Sequence, residues 1–206
     1  MNPTPHRSDP DLVVLHALRC IGTAPCERLA AAVQLSQADV ESELIDLARS
    51  GLVTYWRGGF GGWSITEAGR GTDDERIAAE LDQTGSRELV GRSYDAFLVL
   101  NPELLEVCTA WQLRPVDGLP NDHADHRYDA RVLQRLSSLH RRGQAICTDL
   151  AGVLERFSPY GSRLSRALER STGGELGYVT DNTDSYHTVW FQLHEDLLVT
   201  LGTPRW

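Results

Sequence analysis

Histidines are the residues of this chain whose positions most suggest chemistry, and five of the seven lie beyond residue 120. His187 and His194 fall in DSYHTVWFQLHEDLL, a stretch with the apolar spacing of an amphipathic helix. Seven residues apart on a helix, they share one face but stand about 10.5 Å apart along the axis. A metal ion with ligand bonds of about 2 Å cannot bind both imidazoles. The spacing therefore excludes a metal shared by this pair.

A small-molecule site is another function that these histidines could serve. The predicted helix at 184–201 is apolar or aromatic on two opposite sides, which indicates a helix packed between others. Its buried histidines would need hydrogen-bonding partners, and the polar segment NDHADHRYD at 121–129 offers them. Aromatic walls with a few converging polar groups are typical of ligand pockets. We therefore predict a binding site for a small-molecule effector formed by Trp111, Asn121, His123, Asp125, Tyr128, Asp129, His187, Trp190 and His194.

The same residues have a structural alternative, as core histidines with satisfied hydrogen bonds and as polar groups that fix a loop. Catalytic motifs are missing from the sequence. No serine or cysteine stands in a nucleophile elbow, and GGFGG lies between predicted strands rather than in a phosphate-binding turn. The four cysteines form no C-x-x-C pair, which favours free buried thiols. The sequence thus predicts a protein that is not an enzyme and has no metal or cofactor.

Composition places the chain among ordinary globular proteins. It has 206 residues, 41% of them hydrophobic, and a net charge of −9 that disfavours non-specific binding to nucleic acid. No apolar run approaches the roughly 20 residues of a membrane helix. The first ten residues, MNPTPHRSDP, are polar and resemble no secretory signal, so we expect a cytoplasmic protein without membrane contact. We also expect residues 1–10 to be disordered.

The elements that must position the candidate groups fall into two regions. Residues 11–21, 23–33 and 36–50 have helical spacing, and LVTYWR and GWSIT flank a glycine-rich tip as in a β-hairpin. Three short helices followed by a hairpin predict a winged helix-turn-helix, with a three-helix unit and a β-hairpin wing. The expected fold is mainly α, with this domain at residues 11–70 and an all-α helical domain for ligand binding and dimerisation at 71–206.

The phrases LSQADVESELIDLARSGLVTYW and GWSITEAGR resemble the MarR-type winged-helix regulators over residues 11–70. This resemblance implies that the third helix enters a major groove of double-stranded DNA, with the wing at 57–62 near the backbone or minor groove. Helical periodicity assigns Val40, Leu44, Leu47 and Ala48 to the core face of this helix. The candidate DNA-binding residues are Gln37, Ala38, Ser42, Arg49, Arg57 and Arg28.

The predicted recognition helix is acidic, and this leaves a second function open. Residues 36–50 contain four acids and one arginine, whereas phosphate contacts require cationic side chains. Winged helices also serve as protein-interaction modules, because a fold does not determine a function. The two hypotheses are a DNA-binding transcription regulator, expected to be a homodimer, and a module that docks on another protein.

The remainder, at 71–206, is predicted to contain five or six helices, with a break at Asn101-Pro102 and a long polar loop before residue 128. Its phrases LNPELLEVCTAWQLRP, NDHADHRYD and DSYHTVWFQLHEDLL resemble helical regions of actinobacterial winged-helix proteins and tails of enzymes like pyruvate phosphate dikinase. This resemblance implies a regulatory or partner-binding region. For the protein-interaction hypothesis, it suggests a phosphoenolpyruvate-utilising enzyme as the partner.

Overall fold

The computed structural model describes residues 4–58, 61–114 and 118–203, and it is mainly helical as predicted. The helices are α1 (Pro10–Ile21), α2 (Cys26–Val33), α3 (Gln37–Arg49), α4 (Glu67–Thr84), α5 (Arg87–Gln112), α6 (His126–Ala151), α7 (Ser158–Thr172) and α8 (Tyr186–Leu201). Strands β1 (Val53–Trp56) and β2 (Gly62–Ile65) form an antiparallel hairpin. A short 3-10 turn at Glu155–Phe157 precedes α7, and a second one at Leu176–Tyr178 follows it.

Helix α3 forms where its caps and its apolar period predict it. The Ser36 hydroxyl accepts a hydrogen bond from the Asp39 amide, which satisfies one of the free N–H groups of the first turn. After the helix ends at Arg49, Gly51 adopts a φ of +73°, in the left-handed region that suits glycine. The core-facing side chains Val40, Leu44 and Leu47 are buried against α1 and α2, and Ala48 is half-buried beside them.

The hairpin packs back onto the first three helices through a short additional pairing. Ala24, between α1 and α2, exchanges two backbone hydrogen bonds with Trp63 of β2, at 3.1 and 2.8 Å. The Trp63 side chain contributes to the core formed by α1–α3. The root of the hairpin is therefore fixed, whereas the predicted tip includes residues 59 and 60, which lie outside the described residues.

Helix α4 continues across the boundary predicted between residues 70 and 71. It begins at Glu67, before the expected boundary at residue 70, because the Thr66 hydroxyl accepts a hydrogen bond from the Gly69 amide and caps the helix. Its first turn passes very close to the chain before β1, and a Cβ atom on Gly69 would lie 2.1 Å from the carbonyl oxygen of Leu52. Only glycine fits this position without a shift of backbone.

Helices α5–α8 enclose a second hydrophobic core that includes the aromatic side chains of Phe97, Trp111, Tyr186 and Trp190. The predicted break at Asn101-Pro102 does not occur, since α5 continues through Pro102 to Gln112. Proline has no N–H to donate, but a long helix packed on its neighbours tolerates one missing bond. The two cores meet where α1 and α4 pack on α8 and where α2 packs on α7.

The N-terminal segment differs from the expected disorder. Residues 4–9 are described, and His6 exchanges backbone hydrogen bonds with Val153 and Glu155, at 2.9 and 2.8 Å. The Ser8 hydroxyl donates to the buried carboxylate of Glu80. This part of the segment is therefore ordered, because its polar groups find partners on α4 and before α7 rather than in solvent.

Candidate functional site

The exposed face of α3 carries the residues predicted to contact DNA bases. Gln37, Ala38 and Ser42 are all exposed, as expected for a helix whose opposite face forms the core. Arg49 is exposed as well, but its Nη1 lies 2.9 Å from Oδ1 of Asp46, one turn earlier on the same helix. Its charge is therefore partly compensated within α3.

The two arginines outside α3 have different environments. Arg57 is exposed directly after β1, next to Tyr55 and Trp56, whose side chains are 51% and 66% exposed. Arg28 instead points towards the helical region, and its Nη2 donates to the carbonyl oxygen of Thr183 at 3.2 Å. Arg57 thus lies on the same exposed hairpin as two aromatic side chains, whereas Arg28 is engaged inside the chain.

Negative charge surrounds the exposed face of α3. Asp39, Glu41 and Asp46 are exposed, and Glu43 is half-buried between them. Partial burial raises the pKa of Glu43, and the nearby carboxylates of Asp11, Asp46 and Asp39 raise it further. These acids would repel the phosphates of a nucleic acid.

Part of the predicted effector site comes together at the end of α5. The Asn121 side-chain amide donates to the carbonyl oxygen of Trp111 and to Oδ1 of Asp129, both at 3.0 Å. Nδ1 of His123 lies 3.0 Å from Oδ2 of Asp129, and its ring packs on Trp111 with centroids 4.6 Å apart. The four side chains form one connected cluster.

The remaining contacts of this segment fix the loop between α5 and α6. The Asp125 carboxylate accepts hydrogen bonds from the amides of Arg127 and Tyr128, both at 3.0 Å, and so caps α6. The Tyr128 hydroxyl donates to the carbonyl oxygen of Ala110 at 2.7 Å. Together with the bonds of Asn121 and His123, these contacts support the structural alternative for this half of the predicted site.

The other half of the predicted site lies elsewhere. Nε1 of Trp190 donates to Oδ1 of Asn101 at 3.1 Å, and its ring stacks on Phe97 at 4.5 Å. The His194 ring stacks on Phe97 as well, at 5.0 Å. Phe97 and Trp111 are fourteen residues apart on α5, or about 21 Å along a helix.

Helix α8 therefore does not bring its histidines to the 121–129 segment. His187 stands at the start of α8, where its amide donates to the carbonyl oxygen of Val179 at 3.1 Å. His187 and His194 are both half-buried rather than fully buried. The residues predicted to share a pocket thus belong to two separate places in the helical region.

A buried polar network that the sequence analysis did not identify lies where α1 and α4 meet α7 and α8. At its centre is Arg156, which is 8% exposed. Its Nε donates to Glu80 of α4 at 2.8 Å and its Nη2 donates to Thr200 of α8 at 2.8 Å, while Nη1 donates to Asp196 of α8. Burial would lower the pKa of Arg156, but Asp196 and Glu80 raise it, so the guanidinium remains charged.

His16 extends this buried polar network into α1. Its Nδ1 lies 3.0 Å from Oδ2 of Asp73 and its Nε2 lies 3.1 Å from Oδ1 of Asp196. Burial alone would lower the pKa of His16, but these two carboxylates, with the Cys20 sulfur nearby, raise it well above its ordinary value. An imidazolium held between two carboxylates connects α1 with both α4 and α8.

The donor atoms in the buried polar network could also hold a metal ion. His16, Cys20 and Asp196 each offer one ligand atom, and these atoms lie within 4.8 Å of one another. However, Asp196 already accepts hydrogen bonds from Arg156 and from the Tyr160 hydroxyl, the latter at 3.0 Å. Since these groups satisfy one another, we interpret them as a structural hydrogen-bond network.

The positions of the cysteines do not favour reactive thiols. All four are free, and Cys20, Cys108 and Cys147 are buried as predicted, while Cys26 is half-buried. Burial raises the pKa of Cys108 and of Cys147 to about 12. Both thiols therefore stay protonated at neutral pH, and a protonated thiol is a poor nucleophile.

The raised pKa of His16 predicts that folding stability depends on pH. The stabilisation by the imidazolium should be complete below about pH 6.5, the ordinary histidine pKa, and should decrease as the pH rises towards the raised pKa of the folded state. At pH 6 we expect His16→Gln to lower the free energy of unfolding by about 2 kcal/mol. The difference between wild type and variant, measured by urea denaturation, should shrink by pH 9.

His126→Gln is the matched control for this prediction, because His126 is exposed at the start of α6. Its pH profile should follow that of the wild type. A difference between wild type and His16→Gln that stays constant from pH 6 to pH 9 would contradict the assignment of a charged imidazole at position 16.

The chain matches no protein-family model, no curated protein and no solved structure. Among the described helices, none combines the length and the hydrophobicity that crossing a membrane requires.

Proposed function

We propose that the protein is a winged-helix transcription regulator that binds double-stranded DNA through α3 and the β1–β2 hairpin. Support comes from the order of α1, α2, α3 and the hairpin, and from the pairing of Ala24 with Trp63 that anchors the hairpin to the helices. In a winged helix, the third helix enters the major groove and the wing contacts the flanking backbone.

The observation that carries this proposal is the exposure of polar side chains on α3 outside its buried face. Gln37, the first residue of α3, and Ser42, opposite the buried face, both have exposed side chains that can hydrogen-bond to base edges. Arg57, exposed directly after β1, would contact a phosphate. A homodimer would double these contacts.

Binding to DNA should depend on salt and on Arg57. With a fluorescently labelled fragment from upstream of the protein's own gene, the logarithm of the affinity should fall linearly with the logarithm of the salt concentration. Arg57→Gln should weaken binding and reduce the slope by about one per protomer, because one phosphate contact is lost. Arg141→Gln, on the exposed face of α6, is the matched control and should bind as the wild type does. Absence of binding at low salt would contradict the proposal.

A second candidate function is docking on another protein through the same face. The side chains of Ile45, Tyr55 and Trp56 are 43%, 51% and 66% exposed, and exposed acids of α3 flank Ile45. Exposed aromatic residues are enriched at protein interfaces, whereas the charge of this face opposes contact with phosphates. If the salt titration finds no DNA binding, Trp56→Ser should weaken capture of a protein partner while leaving the fold intact.

We further propose that the chain forms a homodimer through α5. Its outer face exposes Leu98, Pro102 and Leu105, and the two leucines are 42% and 49% exposed; Leu113, which is 41% exposed, follows the end of the helix. Spacings of four and three residues put Leu98, Pro102 and Leu105 on one side of the helix. A continuous apolar stripe of this kind is typical of a surface that another chain covers.

Introducing charge into this stripe should produce a monomer. Leu105→Glu would place a carboxylate on the apolar face. We therefore expect the dissociation constant of the dimer, measured by sedimentation velocity, to rise at least tenfold. Leu176→Glu is the matched control, since Leu176 is also exposed, at 39%, but lies before α8. A wild type that is monomeric at high micromolar concentration would overturn the proposed dimer.

A further inference from the structure

A small cavity of about 90 Å³ lies between α2, α7 and the segment before α8, away from all the residues predicted from sequence to bind an effector. Three arginines of α7 line it, namely Arg163, Arg166 and Arg170. Asp184 also lines the cavity, and Arg28 of α2 donates to the carbonyl oxygen of the preceding residue, Thr183. Three guanidinium groups therefore line this cavity, and that of Arg28 lies near it, in a chain whose net charge is −9.

The carboxylates near the cavity do not balance these arginines. Arg170 forms a two-bond pair with Glu175, so its charge is compensated. The Arg163 side chain is 9% exposed, and its nearest carboxylate oxygen, Oδ1 of Asp184, is 3.9 Å away on a side chain that is 55% exposed. Arg166 has no carboxylate partner among the residues that the structure describes.

Arg163 gives the clearest indication that the cavity lacks an anion, because it is charged, nearly buried and poorly paired. Its Nη2 donates to Oε1 of Gln192, which is neutral. Burial lowers the pKa of Arg163; Tyr160 and Asp184 partly oppose this, and the positive charges of Arg28 and Arg166 lower the pKa further. A buried charge is costly unless an opposite charge lies close to it. The cavity is therefore short of negative charge.

We propose that this cavity binds a phosphate dianion, either free inorganic phosphate or the phosphoryl group of a small organic phosphate. The planar fork of a guanidinium donates two parallel hydrogen bonds to phosphate oxygens, and Arg163 and Arg166 would supply two such forks. The size of the cavity agrees with a single phosphoryl group, because sites for larger organic ligands have about 300–1,000 Å³.

The position of the cavity gives phosphate binding a consequence for α2. The Gln34 side chain at the end of α2 donates to the hydroxyl of Ser162 on α7 at 2.6 Å, so the two helices already contact each other here. A dianion held by Arg28 and by α7 would strengthen this contact and restrain α2 next to α3. A role as effector rests on the proposed DNA-binding function, whereas binding of phosphate itself does not.

Isothermal titration of the full chain with sodium phosphate tests the proposal, with sodium chloride at equal ionic strength as the reference. We expect saturable binding of one phosphate per chain. Arg166→Gln should weaken it about tenfold, because a charge-assisted contact is lost from an exposed position where the fold is not at risk. Arg163→Gln should weaken it at least as much, and Arg141→Gln on α6 is the matched control.

Titration with glycerol phosphate distinguishes the two sources of the dianion. If glycerol phosphate binds more tightly than inorganic phosphate, the ligand is an organic phosphate. If inorganic phosphate binds more tightly, the ligand is free phosphate. Both results support the site. Binding no stronger than that of chloride would overturn the proposal, and so would an Arg166→Gln variant that binds phosphate as the wild type does. Because this titration contains no DNA, a failure to bind phosphate would not contradict the proposed DNA binding, which the salt titration tests separately.

Discussion

Replacement of Arg156 by methionine is expected to lower the free energy of unfolding by about 3–5 kcal/mol. Methionine has a similar length, but it removes the cation that Glu80 and Asp196 share, at a position that is 8% exposed. Two carboxylates would then remain buried without their main partner, and Thr200 would lose a hydrogen bond. Urea denaturation followed by circular dichroism measures this loss.

Two further variants separate the role of the charge from that of the geometry. Arg156→Lys keeps the cation but cannot donate to Glu80, Asp196 and Thr200 at once, so we expect an intermediate loss. Arg7→Met removes an arginine that is 79% exposed and 3.9 Å from Glu155, and an exposed pair of this kind contributes at most about 1 kcal/mol. Equal stabilities of Arg156→Met and Arg7→Met would contradict a central role for Arg156.

The buried polar network also has a consequence for how the two cores move. His16 belongs to α1, Glu80 to α4, and Asp196 to α8, so hydrogen bonds link α1 and α4 directly to the helical region. Separating the two cores would expose or unpair these charges. We therefore expect α1 and α8 to move together, and any change in the angle of α3 to arise within α2 and α3.

The first third of the fold could be predicted because its determinants are local. The cap at Ser36, the buried face of α3 and the glycine after it all follow from positions within fifteen residues. The β1–β2 hairpin was also predictable, since its strands are adjacent in sequence. By contrast, the extent of α4 depends on Thr66 and on contacts with α8, which a boundary drawn after residue 70 did not include.

The buried polar network could not be predicted as a network, although its members left a trace in the sequence. Asp73, Ile77 and Glu80 are spaced four and three residues apart, so two acids share a face with a buried isoleucine. Asp196 follows Val189 by seven residues and falls on the buried face of α8. An acid on an apolar face indicates a buried partner, but the partner, Arg156, is 40 residues distant from Asp196.

The residues predicted to form an effector site come together only where they are near in sequence. Asn121, His123 and Asp129 lie within nine residues, and the loop folds back on Trp111 at the end of α5. The prediction that His194 joins them required the relative positions of α5 and α8, which helical periodicity does not contain. The His194 ring stacks on Phe97 instead.

Alanine at position 69 should be among the most damaging of the conservative substitutions in this protein. Its Cβ would lie 2.1 Å from the carbonyl oxygen of Leu52 and 2.8 Å from Cγ1 of Ile65. Since the nearest atom is backbone, the first turn of α4 must move away from the segment before β1. We expect a loss of about 3 kcal/mol or more in the free energy of unfolding.

The same helix offers a matched control two residues further on. A Cβ on Gly71 would meet no atom within 4 Å, so Gly71→Ala should raise stability by about 0.5–1 kcal/mol, as alanine usually does within a helix. Opposite signs for the two variants, measured by thermal and urea denaturation, would show that close approach at Gly69 causes the loss. If Gly69→Ala proved as stable as Gly71→Ala, α4 and the hairpin would have to be packed less closely than described.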